Sequence, residues 1–330
     1  MLRSAILLLL LVVGITVSPF ALSEPITIRF SHVVSERAPK GIGANLFKDL
    51  VKKRLGDRVR VVIYPRSSRF NDNEVLIALL LGDVELAAPS LSKFGNYSKA
   101  LQVFDLPFLF PDVDAVKRFQ ASSTGQQLLE SMEPIGIRGL AYWDNGMKSL
   151  SSQKPFRVPA DLRGQRFRIQ SSDVIEEQIL ALDAVPLKMP FSQAFEAMRF
   201  GIVDGQENAW SNIYTGGYYR VQKHFTNFNY AYLGYMVVTS TQFWDSLPND
   251  IRNELEQILR EVTLSVNKTA RDQATKNRAE LGKRGDIELL RLSDSELEMW
   301  KKAWQPLQEK FTSEIGEEIV RAARATARSQ

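Results

Sequence analysis

The 330-residue sequence contains no cysteine, so it can form neither a disulfide nor a thiolate metal site. Histidine is nearly as scarce. His32 and His224 are the only two, which excludes a three-histidine metal centre and leaves a histidine-based triad only these two to draw on. No metal and no cofactor is expected. Long apolar runs are missing too: beyond the first two dozen residues nothing approaches the ~20 apolar residues that span a bilayer. Nor is charge of one sign concentrated. The formal net charge is +4, but basic and acidic residues are interspersed through most of the chain, without a long basic tract. Such a mild excess helps attract small anions and is a poor basis for nucleic-acid binding, so no nucleic-acid partner is expected.

What is present begins with a processing signal. Residues 1–23 carry Arg3 and no acid, an apolar run from Ala5 to Val13, and the boundary Ala21-Leu22-Ser23 before Glu24. A charged start, a short apolar stretch and small residues at the third-last and last positions read as a cleavable export signal. The apolar run is too short for a comfortable membrane anchor. The expected location is therefore the periplasm.

Beyond residue 24 strand-like and helix-like segments alternate. Ile26 to Phe30 alternates as a strand, and Ala38 to Leu55 places Ile42, Leu46, Leu50 and Val51 at helical spacing. Val59 to Tyr64 is β-branched, Asn73 to Leu81 is helical until Gly82, and Val84 to Ala88 is the next strand. A second block repeats the order: strand Arg166 to Ile169, helix Ser172 to Leu182, strand Val185 to Met189, helix Phe191 to Arg199. The turn-rich stretch Ser151 to Gly164 is expected to cross between two lobes. Asn227 to Ser240 reads as strand structure. Pro248-Asn249-Asp250 then opens a long helix, with Ile251, Leu255, Ile258 and Val262 on one face. Ser293 to Phe311 and Ser313 to Ala325 read as further helices. This order predicts an α/β fold, but fits a receptor and a two-domain enzyme alike.

Several ordered motifs are more specific. They are Phe30-Ser31-His32-Val33-Val34, Tyr142-Trp143-Asp144-Asn145-Gly146, Arg166-Phe167-Arg168-Ile169-Gln170-Ser171-Ser172, Met189-Pro190-Phe191-Ser192-Gln193-Ala194-Phe195, Asp204-Gly205-Gln206-Glu207-Asn208 and Phe243-Trp244-Asp245-Ser246-Leu247-Pro248. In order and spacing they closely resemble the dicarboxylate-binding branch of the periplasmic TRAP-transporter receptors. The resemblance implies a two-lobed clamshell with mixed sheets, crossing segments and a long helix spanning the lobes. The expected division is 24–145 plus 234–273 for one lobe and 146–233 plus 274–330 for the other. It also implies a small organic-acid ligand held in the inter-lobe cleft, and partner membrane subunits driven by an ion gradient. The chain departs from the common pattern at Met198-Arg199-Phe200-Gly201 and at Ala209-Trp210, two places that bear on cleft shape.

The resemblance also implies site residues. Arg168 matches the arginine that pairs with a ligand carboxylate; its planar fork suits two carboxylate oxygens, whereas Arg166 reads as a surface residue. Asn208 matches an asparagine whose amide can donate to a carboxylate and accept from a hydroxyl, although asparagine also caps helices. Phe191 corresponds to an aromatic that covers the ligand, a residue type equally at home in a core. Lys148, after what reads as an Asn-Gly turn, either neutralises a second carboxylate or is solvated. His32 and Ser90 occupy first-lobe positions that touch ligand in relatives, and a serine at position 90 argues against sialic acid. Trp143, Ser171 and Tyr235 are neighbours that fit a core or surface role equally well.

No enzymatic role is expected. The sequence has no nucleophile elbow, no phosphate-binding loop and no zinc-protease helix, and Gly41-Ile42-Gly43 lacks the third glycine of a dinucleotide fingerprint. The adjacent carboxylates Glu176-Glu177 and Glu317-Glu318 do not face each other on a helix. A receptor for a four-carbon dicarboxylate leads, with another organic acid, or a sensing role, as the alternative. Protein recovered from the periplasmic fraction should begin at or near Glu24, and intact-mass analysis decides it; a mature chain retaining Met1 to Ser23 contradicts the cleavage.

Overall fold

The computed structural model describes residues 24–328, so the export signal expected at 1–23 lies outside the described residues. The strands are β1 (Ile26–Ser31), β2 (Val59–Tyr64), β3 (Leu86–Ala87), β4 (Ile137–Ser152), β5 (Arg166–Ile169), β6 (Val185–Lys188), β7 (Gly205–Ala209), β8 (His224–Thr226), β9 (Tyr232–Ser240) and β10 (Glu288–Leu290). They are hydrogen-bonded in the order β2-β1-β3-β9-β4-β7-β5-β6, with β8 beside β4 and β10 beside β8. Each end of this order is a parallel triplet with its first strand in the middle, β2-β1-β3 and β6-β5-β7. The middle strand leads in each case into a helix, Pro39–Leu55 after β1 and Asp173–Leu180 after β5. Parallel neighbours need such crossovers. The two blocks read from the sequence are these two triplets.

The antiparallel pair β4 and β9 joins them. β4 is 16 residues long; its first part pairs with β9 and its last five residues pair with β7. One strand thus runs from the first lobe into the second. The helix Asn249–Gly282 makes a further connection, 34 residues long and roughly 50 Å at the usual helical rise. Its Ile251, Leu255, Ile258 and Val262 pack with Phe30, Phe47 and Trp143 of the first lobe, while Leu281 packs with Trp210 and Phe225 of the second. Within Gly41-Ile42-Gly43, Gly43 serves this packing, while Gly41 makes room for the preceding loop. A side chain at position 43 would collide with Val266 of the long helix, and one at 41 with the Ser35 carbonyl.

Three expectations are corrected. Asn145-Gly146 is no turn: it lies inside β4, where the register against β9 slips between Asp144 and Gly146, and Gly146 takes a φ of 142°. Both flanks stay paired, so the extra residue is absorbed as a bulge. The stretch Ser151 to Gly164 does not cross between lobes. Ser152 pairs with β7 and β8, and Phe156 and Leu162 join the second-lobe cluster around Trp300; the crossing is made by β4, β9 and the long helix. The C-terminal helices, expected wholly with the second lobe, straddle both. In Asp294–Ile315, Trp300, Trp304 and Leu307 pack with Ile169. Phe311 and Ile315, together with Val320 and Ala323 of Glu317–Arg328, pack with Phe104 and Phe119.

Gly205, which opens β7, lets that strand approach its neighbours. A Cβ there would collide with the Ser151 carbonyl oxygen on β4 and sit 2.5 Å from Phe167 Cε1 on β5. Gly205→Ala should destabilise the protein by about 1–3 kcal/mol, as overpacking does, in urea unfolding. Gly285→Ala, with open space around it, is the control and should leave stability near native; equal stability of both variants contradicts the close approach.

Candidate functional site

The carboxyl ends of β1, β5 and β7 and the segment after β3 point toward the gap between the lobes, the place where open parallel α/β sheets collect ligands. A small, narrow cavity lies there. Val33, Val34, Asp72 and Ser90 line it from the first lobe; Arg168, Gln170, Phe191, Asn208 and Asn212 line it from the second. Leu233 and Tyr235, from the joining strand β9, complete the wall. Roomier clefts flank the long helix, but neither presents a fully buried cation without a partner.

Arg168 dominates the chemistry. It sits near the end of β5, two residues beyond Arg166 and so on the same strand face. Arg166 is exposed at the strand's start and pairs with Asp204, Nε to Oδ2 at 3.1 Å. Arg168 is 1 % exposed. Its Nε and Nη2 donate to the Met189 carbonyl at 3.1 and 2.9 Å, while Nη1 is buried with no protein partner. One edge of the guanidinium is thereby anchored to the backbone and the end-on edge remains free. A buried, unbalanced cation is costly, and a carboxylate is the group that fits that edge in two-pronged fashion.

The other predicted residues divide. Asn208 lines the cavity, its Oδ1 accepting from the Ala209 N–H at 3.1 Å and from Asn212 Nδ2 at 2.9 Å. Phe191 opens the helix Phe191–Arg199 and packs across the gap on Val33, Val34 and Ala38, as well as edging Tyr218. Ser90 contributes a buried hydroxyl with no protein partner. Tyr235 accepts hydrogen bonds from Asn145 Nδ2 at 2.7 Å and Asn212 Nδ2 at 3.2 Å. His32 is buried just behind Val33, with both ring nitrogens unpartnered. Burial, reinforced by the Lys40 charge, pushes its pKa down to about 3, so it is neutral at ordinary pH.

Lys148, Trp143 and Ser171 are not brought into the wall. Lys148 is buried behind it, its Nζ 3.2 Å from both Asp105 and Glu207. Burial opposes its charge, but those carboxylates hold its pKa above the usual lysine value. Its charge is thus already matched internally, which removes the reason for giving it a second ligand carboxylate. Trp143 is core: it packs on Phe30 and donates Nε1–H to Thr263 Oγ1 at 3.0 Å. Ser171 lies at the cleft's rim, its hydroxyl 3.2 Å from Asn73 Oδ1 and 3.3 Å from Lys93 Nζ.

The positive charge on the first-lobe side comes from residues the sequence reading passed over. Lys40, in the first turn of Pro39–Leu55, is buried, donates to the Ala88 carbonyl at 2.7 Å, and lies 3.8 Å over the Tyr235 ring. Lys93 is buried and donates to Asn73 Oδ1 at 2.8 Å. Burial pushes both down to about 8, against the attraction of Asp72; Arg168 lowers Lys93 further. Asp72, Gln170 and Asn212 were also passed over. Only Asn212 had a usable signal, its spacing of four from Asn208 into the helix Trp210–Thr215. The lysines had none, since a basic residue in a first turn or a loop is ordinarily solvated.

The arrangement can hold a small anion and shut solvent out; among the described residues no cluster of acids and histidines could hold a metal, and no helix is long and apolar enough to cross a membrane. The model of the bacterial extracellular solute-binding protein family 7 matches residues 30–314. The C4-dicarboxylate-binding periplasmic protein DctP of Shewanella loihica is 45% identical over 304 residues, covering 92% of this chain and 90% of its own. Its namesake from Vibrio cholerae is 42% identical over 301 residues, covering 91% and 90%. Among solved structures, a TRAP periplasmic solute-binding protein from Shewanella oneidensis with bound succinate superposes with a TM-score of 0.91 at 45% identity, covering 92% of this chain and 100% of that one. A second, from Pseudomonas aeruginosa with bound L-malate, gives 0.84 at 46% identity, covering 87% and 100%. The chain belongs to the bacterial extracellular solute-binding protein family 7, the TRAP-type solute receptors, which bind small molecules and are not enzymes.

Proposed function

We propose that this protein is a periplasmic receptor that captures a four-carbon dicarboxylate between its lobes and delivers it to TRAP-type membrane subunits for ion-gradient-driven uptake. The observation that carries the reading is the end-on edge of Arg168, buried and unpartnered in a cavity built from both lobes. The relatives named for C4-dicarboxylates, and the neighbours holding succinate and L-malate, support the ligand class.

The ligand's first carboxylate takes the free edge of Arg168, with the Asn208 amide beside it. The second lies toward Ser90 and the buried amines Lys40 and Lys93. Near the cavity, Arg168, Lys40 and Lys93 outnumber Asp72; the Lys148 cluster with Asp105 and Glu207 behind the wall carries a surplus negative charge. Binding and closure are one event, because the contacts that seal the ligand cross the gap. Phe191 covers it from the second lobe against Val33 and Val34, and Lys99 meets Asp173 at 2.7 Å on the rim. Removal of residues 1–23 during export belongs to the same proposal, as does lobe motion about β4, β9 and the long helix.

Replacing Arg168 by Lys keeps the charge and loses the fork. Charge-assisted hydrogen bonds contribute roughly 1.5–3 kcal/mol, so calorimetry should show succinate or malate affinity falling about ten- to a hundred-fold. Arg166→Lys is the matched control and should bind as wild type. Near-native affinity in Arg168→Lys and Arg168→Ala, with circular dichroism intact, removes this residue from the site.

Affinity should also depend on alkaline pH. Lys40 and Lys93 both sit at about 8 in the free protein, and a bound dianion favours their charged forms. Above that pH the ligand must first restore a proton, so affinity should fall by about ten-fold per pH unit for each lysine so engaged. A binding isotherm unchanged between pH 7 and 9.5 contradicts the role of these amines.

A further inference from the structure

Asn212 is 4 % exposed, lines the cavity, and its Oδ1 has no donor within the protein. The orientation of its amide follows from a chain of hydrogen bonds that begins at the backbone. The Ala209 N–H can only donate, so the Asn208 atom 3.1 Å from it is the carbonyl oxygen. That oxygen lies 2.9 Å from the Asn212 amide, and two oxygens cannot share a hydrogen bond, so the Asn212 atom facing it is the nitrogen. The same nitrogen lies 3.2 Å from the Tyr235 hydroxyl. Asn212 Oδ1 is left as an acceptor at the cavity wall.

The neighbours around it have the opposite polarity. Tyr235 already accepts from Asn145 Nδ2 and Asn212 Nδ2, and burial raises its pKa, so its own proton is available to donate. On its other side the Asn145 amide meets the Ser211 hydroxyl, which donates to Asn145 Oδ1. Arg168 Nη1 is a donor without a partner. Donors suit carboxylates. An acceptor among them suits a group that carries a hydrogen, and a dianion of two carboxylates alone has none to offer. Asp72, a further acceptor at the cavity, faces it from the first lobe, in the field of Lys40 and Lys93, and Gln170 keeps its Oε1 as an acceptor while its amide nitrogen donates to Glu207.

We propose that Asn212 recognises a hydroxyl on the ligand, so that the cavity takes a 2-hydroxy dicarboxylate in preference to the unsubstituted one. The inference rests on the dicarboxylate reading above and sharpens it. With one carboxylate on Arg168 and Asn208, a hydroxyl on the adjacent carbon lies beside the amide to which Asn208 is bonded. A ligand lacking that hydroxyl leaves Asn212 Oδ1 dehydrated and unpaired, and a site built around such a contact rejects the deoxy analogue.

The test is calorimetric titration of the mature protein with L-malate, D-malate and succinate. One malate enantiomer should bind at least about ten-fold more tightly than succinate, and Asn212→Ala should bring the two affinities close together. Loss of the Asn212 amide donors weakens both ligands alike, so the ratio reports the acceptor alone. Asn212→Leu, closer in volume, provides the same comparison if the smaller side chain perturbs folding. Equal affinities in the wild type, or a wild-type ratio preserved in the Asn212 variants, overturn this assignment while leaving the dicarboxylate receptor standing. Binding of none of the three ligands by the wild type overturns both.

Discussion

A guanidinium held out of water with one edge unbalanced is the constraint around which the second lobe is organised. Arg168 cannot turn away from the cavity, because its Nε and Nη2 are tied to the Met189 carbonyl. That carbonyl is itself placed by the β5–β6 pairing, through the Met189 N–H donating to Ile169. The backbone therefore fixes the fork before any ligand arrives. An uncompensated buried charge opposes folding, so under the receptor proposal the cost carried here is what a bound carboxylate would offset.

The halves that meet over this charge are similar in topology and different in chemistry. Each offers the carboxyl ends of a parallel triplet, but the second lobe contributes the guanidinium and asparagine amides, while the first contributes buried amines, a serine and an aspartate. Neither lobe alone encloses the cavity. Phe191 reaches across to Val33 and Val34, and Lys93 reaches across to Ser171. The rim pair Lys99–Asp173 is partly exposed, so salt and solvent weaken it; the apolar contact is the less screened of the two.

The connections between the lobes converge at one level of the fold. β4 carries its bulge at Asp144 to Gly146, where it leaves the first sheet for the second. Asp144 is buried there, accepting from the Tyr232 hydroxyl at 2.5 Å, while its N–H donates to Asn267 of the long helix at 2.8 Å. The bulge, β9 and the helix are thus bonded to one another at the level where the chain changes lobe. Further from it, the C-terminal helices pack on both lobes.

Much of this was legible in the amino-acid order. Periodicity located the two β-α-β blocks and the long helix within a few residues, because local alternation is set by which face each element buries. The ordered motifs contained Arg168, Asn208 and Phe191, and the family resemblance they carry implied Ser90 and named Tyr235 as a neighbour; all five line one cavity. Where sequence reasoning failed, the deciding partner lay far along the chain. Asn145-Gly146 carries a turn signal, yet pairing with β9, some ninety residues on, makes it a bulge. Lys148 read as either a ligand partner or a solvated lysine until Asp105 and Glu207 closed around it; Trp143, for which a core role already stood open, is core, and the long helix brings Thr263 to its indole nitrogen. Lys40 and Lys93 are ordinary lysines in sequence; only tertiary burial beside Asp72 and Arg168 makes them poised cations. The sequence by itself determined the elements and the family, since both follow from local pattern. The tertiary structure decided which charges face the cavity, because desolvation and pairing depend on neighbours that no local pattern names.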